Sequence, residues 1–242
     1  MFKKSIVSIV AVALFVVSAP LYAVVVDLTV NNSGTAIAAT GQLTTFERYN
    51  VPPTGTGVFE PFVRIQNKGI EKGYNTDGIL EFDTKQGKTG GKNWTHSIKL
   101  GDLLLTNGCI EFLLDINEDQ GQDNELLSLD QLEIYLSDQP DNSGYPALGD
   151  LVYRLSDASN DNWVKLDNTI FGPGSGTGDM RVFIPVGQNW AADKYLYLYS
   201  EFGVHYSSGD GFEEWSARIP EPATVALLGL GTLVLLRKHS RK

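Results

Sequence analysis

From residue 115 to 125 the chain reads Asp115-Ile116-Asn117-Glu118-Asp119-Gln120-Gly121-Gln122-Asp123-Asn124-Glu125, with oxygen-bearing side chains alternating around a glycine. Calcium takes about six to eight oxygen ligands and is often wrapped by such a turn. Asp115, Asn117, Asp119 and Asp123 are therefore candidate calcium ligands. The EF-hand pattern asks for glycine at its sixth position and glutamate at its twelfth, where this chain has Gln120 and Leu126. A solvated acidic hairpin is the simpler reading, because Asp and Asn also bond their own backbone in turns. No cofactor is called for beyond that calcium.

A second pattern is aromatic. Tyr195, Tyr197 and Tyr199 alternate with Leu196 and Leu198, so on a strand the three rings share one face. With Trp94, Trp163, Trp190 and Trp215 they could form an exposed platform for sugars, although tyrosine also packs on half-buried sheets, and that reading is preferred. Catalysis finds little footing. His96 and His205 are the only histidines between the two termini, and there is no Gly-x-Ser-x-Gly elbow and no histidine pair with metal-ligand spacing. The Gly172 to Gly178 run lacks the lysine and helix of a phosphate cradle. Carboxylates such as Glu213 and Glu214 are abundant, and a glycosidase pair would need two of them facing each other across a groove. No catalytic residue is assigned.

Strands must position these groups. Short apolar-polar alternations recur between Gly, Asn, Asp and Pro clusters over residues 24 to 218. Phe59, Val63 and Ile65 share one side; so do Ile110, Phe112, Leu114 and Ile116; so do Leu132, Ile134 and Leu136, and Met180, Val182 and Ile184. Ser97 to Leu105 and Leu126 to Leu132 are each read as a helical turn. Turn-rich connectors run from Lys88 to Asn93, from Gln139 to Gly144 and from Phe171 to Asp179. The expected class is all-β, an antiparallel β-sandwich or jelly-roll-like ectodomain.

Charge divides the chain more sharply than the total of -10 suggests. Residues 24 to 218 hold 13 basic against 28 acidic side chains, a balance that repels nucleic acid and keeps an exported domain soluble. Cys109, the only cysteine, can form no internal disulfide, so this body must rely on burial, and Cys109 itself is expected to be a small buried side chain.

The ends look like addresses. Lys3 and Lys4 precede an apolar run from Ile6 to Val17, followed by Ser18-Ala19-Pro20-Leu21-Tyr22-Ala23, the three parts of a secretory signal peptide, with cleavage after Ala23. At the other end Pro220-Glu221-Pro222 precedes the apolar segment 223 to 236 and then Arg237, Lys238, Arg241 and Lys242. That segment would extend roughly 21 Å as a helix, a marginal transmembrane span, and the basic block would stop it on the cytoplasmic side.

Motif, apolar helix and basic end in this order resemble the PEP-CTERM sorting signal of exosortase substrates. The resemblance implies a partner, an exosortase-type membrane peptidase of the cysteine class, that recognises the tail in the inner membrane and cuts near the motif. The protein would be transiently anchored there, then delivered to the cell surface or an exopolysaccharide matrix. More loosely, Trp94 to Leu100 and Glu111 to Glu118 resemble ectodomains that precede such tails. Three domains follow: 1–23 signal peptide, 24–218 β-sandwich-like ectodomain and 219–242 sorting tail. The preferred function is a non-catalytic surface or biofilm-matrix protein associated with exopolysaccharide; the alternatives are a carbohydrate-binding module, with or without calcium, and a secreted glycan-active enzyme.

Overall fold

A computed structural model describes residues 23–51, 60–89, 92–118, 125–171 and 178–219. The signal sequence up to Tyr22, Pro220-Glu221-Pro222, the apolar segment 223–236 and the basic end lie outside these residues, as do Phe59, Asp119, Asp123 and most of the 171–179 loop. Among the described residues no helix is long and apolar enough to cross a membrane.

The chain is built from strands. The first nine are β1 (Val25–Asp27), β2 (Ser33–Ile37), β3 (Leu43–Val51), β4 (Pro61–Ile65), β5 (Lys68–Gly69), β6 (Glu71–Tyr74), β7 (Lys88–Thr89), β8 (Lys92–Asn93) and β9 (Ile98–Lys99). The others are β10 (Leu105–Thr106), β11 (Cys109–Ile116), β12 (Leu126–Ser137), β13 (Asp150–Arg154), β14 (Trp163–Asp167), β15 (Gly178–Pro185), β16 (Tyr195–Phe202), β17 (Ser208–Gly209) and β18 (Glu213–Ala217). The one described helix is a single 3-10 turn at Leu100–Asp102, inside the stretch read from sequence as a helical turn.

Two sheets result. One runs in the order β1-β14-β12-β16-β6, with β13 also on β12 and β9 on β16; the other runs β2-β3-β15-β11-β18-β4, with β10 on β11. Pairing within them is antiparallel apart from β1 with β14. The inward side chains of both sheets form one core, including Phe46, Phe112, Val182 and Trp215 from one and Leu129, Ile134, Val164 and Leu198 from the other. Trp215 Nε1 crosses that core to donate a hydrogen bond to Ser200 Oγ at 3.0 Å, so the largest buried ring keeps its polar atom satisfied.

The alternations read from sequence point as expected: Ile110, Phe112, Leu114 and Ile116 face the core, as do Met180, Val182 and Ile184. Leu126 to Leu132 corrects the helical reading. It is the first half of β12, where Leu127 and Leu129 are inward, and a bulge between Leu129 and Gln131 shifts the inward set to Leu132, Ile134 and Leu136. The extra residue breaks the period of two. Cys109 is also corrected: it opens β11 half-buried rather than deep in the core.

Candidate functional site

Three glutamates meet at one end of the sandwich, between the sheets. Glu71 opens β6, Glu118 follows the end of β11, and Glu213 opens β18. Register brings them inward. Glu71 lies opposite Phe202, and Glu213 lies between Ile65 and Ile116 on neighbouring strands, all three of those partners being core residues. The glutamates are 0 %, 4 % and 0 % exposed, and oxygens of all three lie within 4.8 Å of one another.

A small lid of backbone holds them. β17 pairs with β5, Ser208 opposite Gly69. Glu71 accepts from the Asn67 amide at 2.7 Å, Glu118 accepts from the Gly209 amide, and Ser208 Oγ donates to the Asn67 carbonyl at 3.1 Å. Asn168 Nδ2 donates to the Glu118 carbonyl at 2.6 Å. A Cβ on Gly211 would sit 1.6 Å from the Asn117 carbonyl oxygen, so only glycine lets the chain pass there.

Electrostatically the cluster is under load. Burial, first, and then the neighbouring carboxylates raise Glu118 to about 7 and push Glu213 well above the ordinary carboxylate range; Glu71 is raised too, chiefly by burial. No described ion pair involves any of the three. The group therefore carries either shared protons or a cation. An all-oxygen donor set suits a hard cation.

Of the sequence-derived ligands, the two that are described, Asp115 and Asn117, fall elsewhere. Asp115 is inside β11, opposite Glu214 and with Arg64 as an electrostatic neighbour, on the sheet face away from Glu213; Asn117 is half-buried, and only its carbonyl approaches Gly211. Glu118 stands in the acidic run without being a candidate ligand, Glu213 is singled out only alongside Glu214 as an abundant carboxylate, and Glu71 goes unmarked. The available signal was strand parity. Glu213 shares a face with Trp215 and Ala217, and a charged residue on a core-facing position is the anomaly worth following. Glu214 leaves β18 on the opposite face, with its nearest oxygen 3.4 Å from Arg64 Nε, so Glu213 and Glu214 do not face each other across a groove.

The tyrosines form a second small core. Tyr197 and Tyr199 are 0 % and 3 % exposed and pack with Tyr74, Tyr135 and Leu148 on the outer face of their sheet. Tyr145 stacks on Tyr199 with centroids 4.1 Å apart. This is the packing role preferred from sequence, and it removes those two rings from any solvent-facing platform. Trp215 is fully buried, and Trp94, Trp163 and Trp190 are half-buried.

His205 stacks on Trp163 at 4.3 Å, with Nδ1 2.6 Å from Asp130 Oδ1. Ser128 Oγ donates to Asp130 Oδ2 at 2.8 Å and accepts the amides of His205 and Tyr206. Serine and histidine thus both bond the aspartate. In a catalytic triad the histidine would stand between the other two, whereas this trio fastens the 203–206 turn to β12. His96 contacts the Asn93 carbonyl at 3.0 Å.

Comparison with known proteins locates one further functional element. Residues 218–242 match the family described as the PEP-CTERM protein-sorting motif. No curated protein matches the chain. A cryo-EM structure of broad bean stain virus aligns at 14 % identity and a TM-score of 0.26, covering 72 % of this chain and 92 % of that one, a score that carries nothing about fold or function. The family match gives the chain a C-terminal PEP-CTERM sorting motif, which supports an exported protein sorted through an exosortase.

Proposed function

We propose that this protein is a non-catalytic component of the cell surface or its surrounding matrix, anchored briefly in the inner membrane by its tail and released by an exosortase-type peptidase. The carrying observation is the sorting motif at residues 218–242, directly after an acidic body whose last strand, β18, ends at Ala217. Ile219, two residues past β18 and the last described residue before the motif, is 54 % exposed, which supports access of a membrane peptidase from the surface of a folded body. At the other end Ala23 is exposed and β1 opens at Val25, which supports signal cleavage after Ala23: the cut would fall outside the sheet. Association with exopolysaccharide is the destination this sorting route suggests.

Mass spectrometry of the mature protein from its host tests the proposal. A product beginning at Val24 and ending near Pro220-Glu221-Pro222 is expected. An exported product that retains Lys242 would refute processing at the tail, and turnover of a glycan by the purified body would refute the non-catalytic role.

A further inference from the structure

Buried oxygens of three carboxyls gather within 4.8 Å of one another. Glu71 Oε1, Glu118 Oε1 and both carboxylate oxygens of Glu213 have no N–H or hydroxyl donor; Glu213, 0 % exposed, meets only the carboxyls of Glu71 and Glu118, contacts that bond only by sharing a proton. Buried polar atoms are almost always partnered, so several orphaned acceptors aimed at one another call for something between them. Glu71 comes from one sheet and Glu118 and Glu213 from the other.

We propose that Glu71, Glu118 and Glu213 bind one calcium ion that ties the two sheets together at this end of the sandwich. All ligands are carboxylate oxygens, which disfavours zinc and copper, whose protein sites draw on imidazole and thiolate. Magnesium sheds its water reluctantly and usually keeps several molecules bound. Here the carboxylates are already closed off from solvent by the β5–β17 pair, and the two oxygens that do accept amide hydrogen bonds keep lone pairs free. Calcium accepts such irregular, dehydrated oxygen cages. The ion would take the place of the lysine or arginine that buried acidic groups otherwise require.

The protein recovered from its exporting host, stripped with EGTA, decides the matter by calorimetric calcium titration and thermal melting. Uptake of one calcium per chain and a melting point several degrees higher are expected, with magnesium much weaker. Glu213→Gln should weaken calcium binding by at least about tenfold yet, in EGTA, melt no lower than the stripped wild type, because the amide is neutral without having to take up a proton on folding. Asp119→Asn combined with Asp123→Asn should leave uptake unchanged. Wild-type protein that takes up no calcium would overturn the site, leaving a cluster neutralised by its own protons, and does so even if Glu213→Gln fails to fold. Undiminished uptake by a folded Glu213→Gln variant would place the ion elsewhere and equally refute the proposal; magnesium binding as tightly as calcium would refute the identity of the ion.

Discussion

Asp179 carries a buried carboxyl whose two oxygens are treated differently. Oδ2 accepts from the Ile116 amide at 2.9 Å, while Oδ1 has no hydrogen-bond partner. Burial, with Asp115 and Asp167 nearby, raises its pKa from 3.8 to about 8, so the native protein holds it neutral at pH 7. The unfolded chain ionises it above pH 4. Native Asp179 therefore keeps a proton that the unfolded chain has lost, and stability should fall as pH rises from about 4 to about 8, then level off. Asp179→Asn keeps an acceptor for Ile116 and cannot ionise. It should be the more stable form at pH 7 by about 1–3 kcal/mol and match wild type near pH 4, reducing the slope between pH 5 and 7 by at most about 1.4 kcal/mol per unit. Urea unfolding followed by tryptophan fluorescence at these pH values measures it; a variant weaker than wild type at pH 7 would mean that the native carboxyl is ionised.

Among the elements, the β10–β11 hairpin isolates what a turn contributes. Asn107 and Gly108 have φ of 52° and 77°, the two left-handed residues that a tight hairpin of matching twist requires. A Cβ at Gly108 would meet nothing within 4 Å. Gly108→Ala should thus cost about 1–2 kcal/mol through backbone conformation alone, and Gly108→Asn clearly less, since asparagine tolerates that region; thermal melts of the two variants separate conformational from steric cost. Much of the sheet was legible in the same way, from local pattern: Leu196 and Leu198 against Tyr195, Tyr197 and Tyr199 assigns both faces of β16. What eluded sequence reading is non-local. The β12 bulge depends on pairing with β16, and Glu71, Glu118 and Glu213 are distant in sequence, brought together only because β6 and β18 begin, and β11 ends, at the same edge of the core. The Asp115 to Glu125 run advertises oxygen ligands by spacing, yet strand geometry turns Asp115 away and leaves Glu118 to point inward.

At the scale of the whole molecule, the proposed sorting route sets segments of opposite charge against each other. The body is acidic, with 13 basic against 28 acidic residues, whereas the last six residues contain Arg237, Lys238, Arg241 and Lys242. The apolar segment before them would reach roughly 21 Å as a helix, short of a hydrocarbon core of about 30 Å, so its hydrophobicity alone holds the membrane weakly. On the proposed route, retention would draw on the four cations, since such residues resist crossing the bilayer and are attracted to anionic lipid on the cytoplasmic side. Replacing all four with serine leaves Pro220-Glu221-Pro222 and every strand untouched. The variant should fold as before but slip through the membrane ahead of the peptidase, and appear outside the inner membrane with residue 242 still attached. Immunoblotting of fractionated cells with a C-terminal antibody, alongside intact mass, reads this directly. If the serine variant is instead cut as efficiently as wild type, recognition resides in the motif and the apolar segment, and the basic block has no part in holding the chain for cleavage.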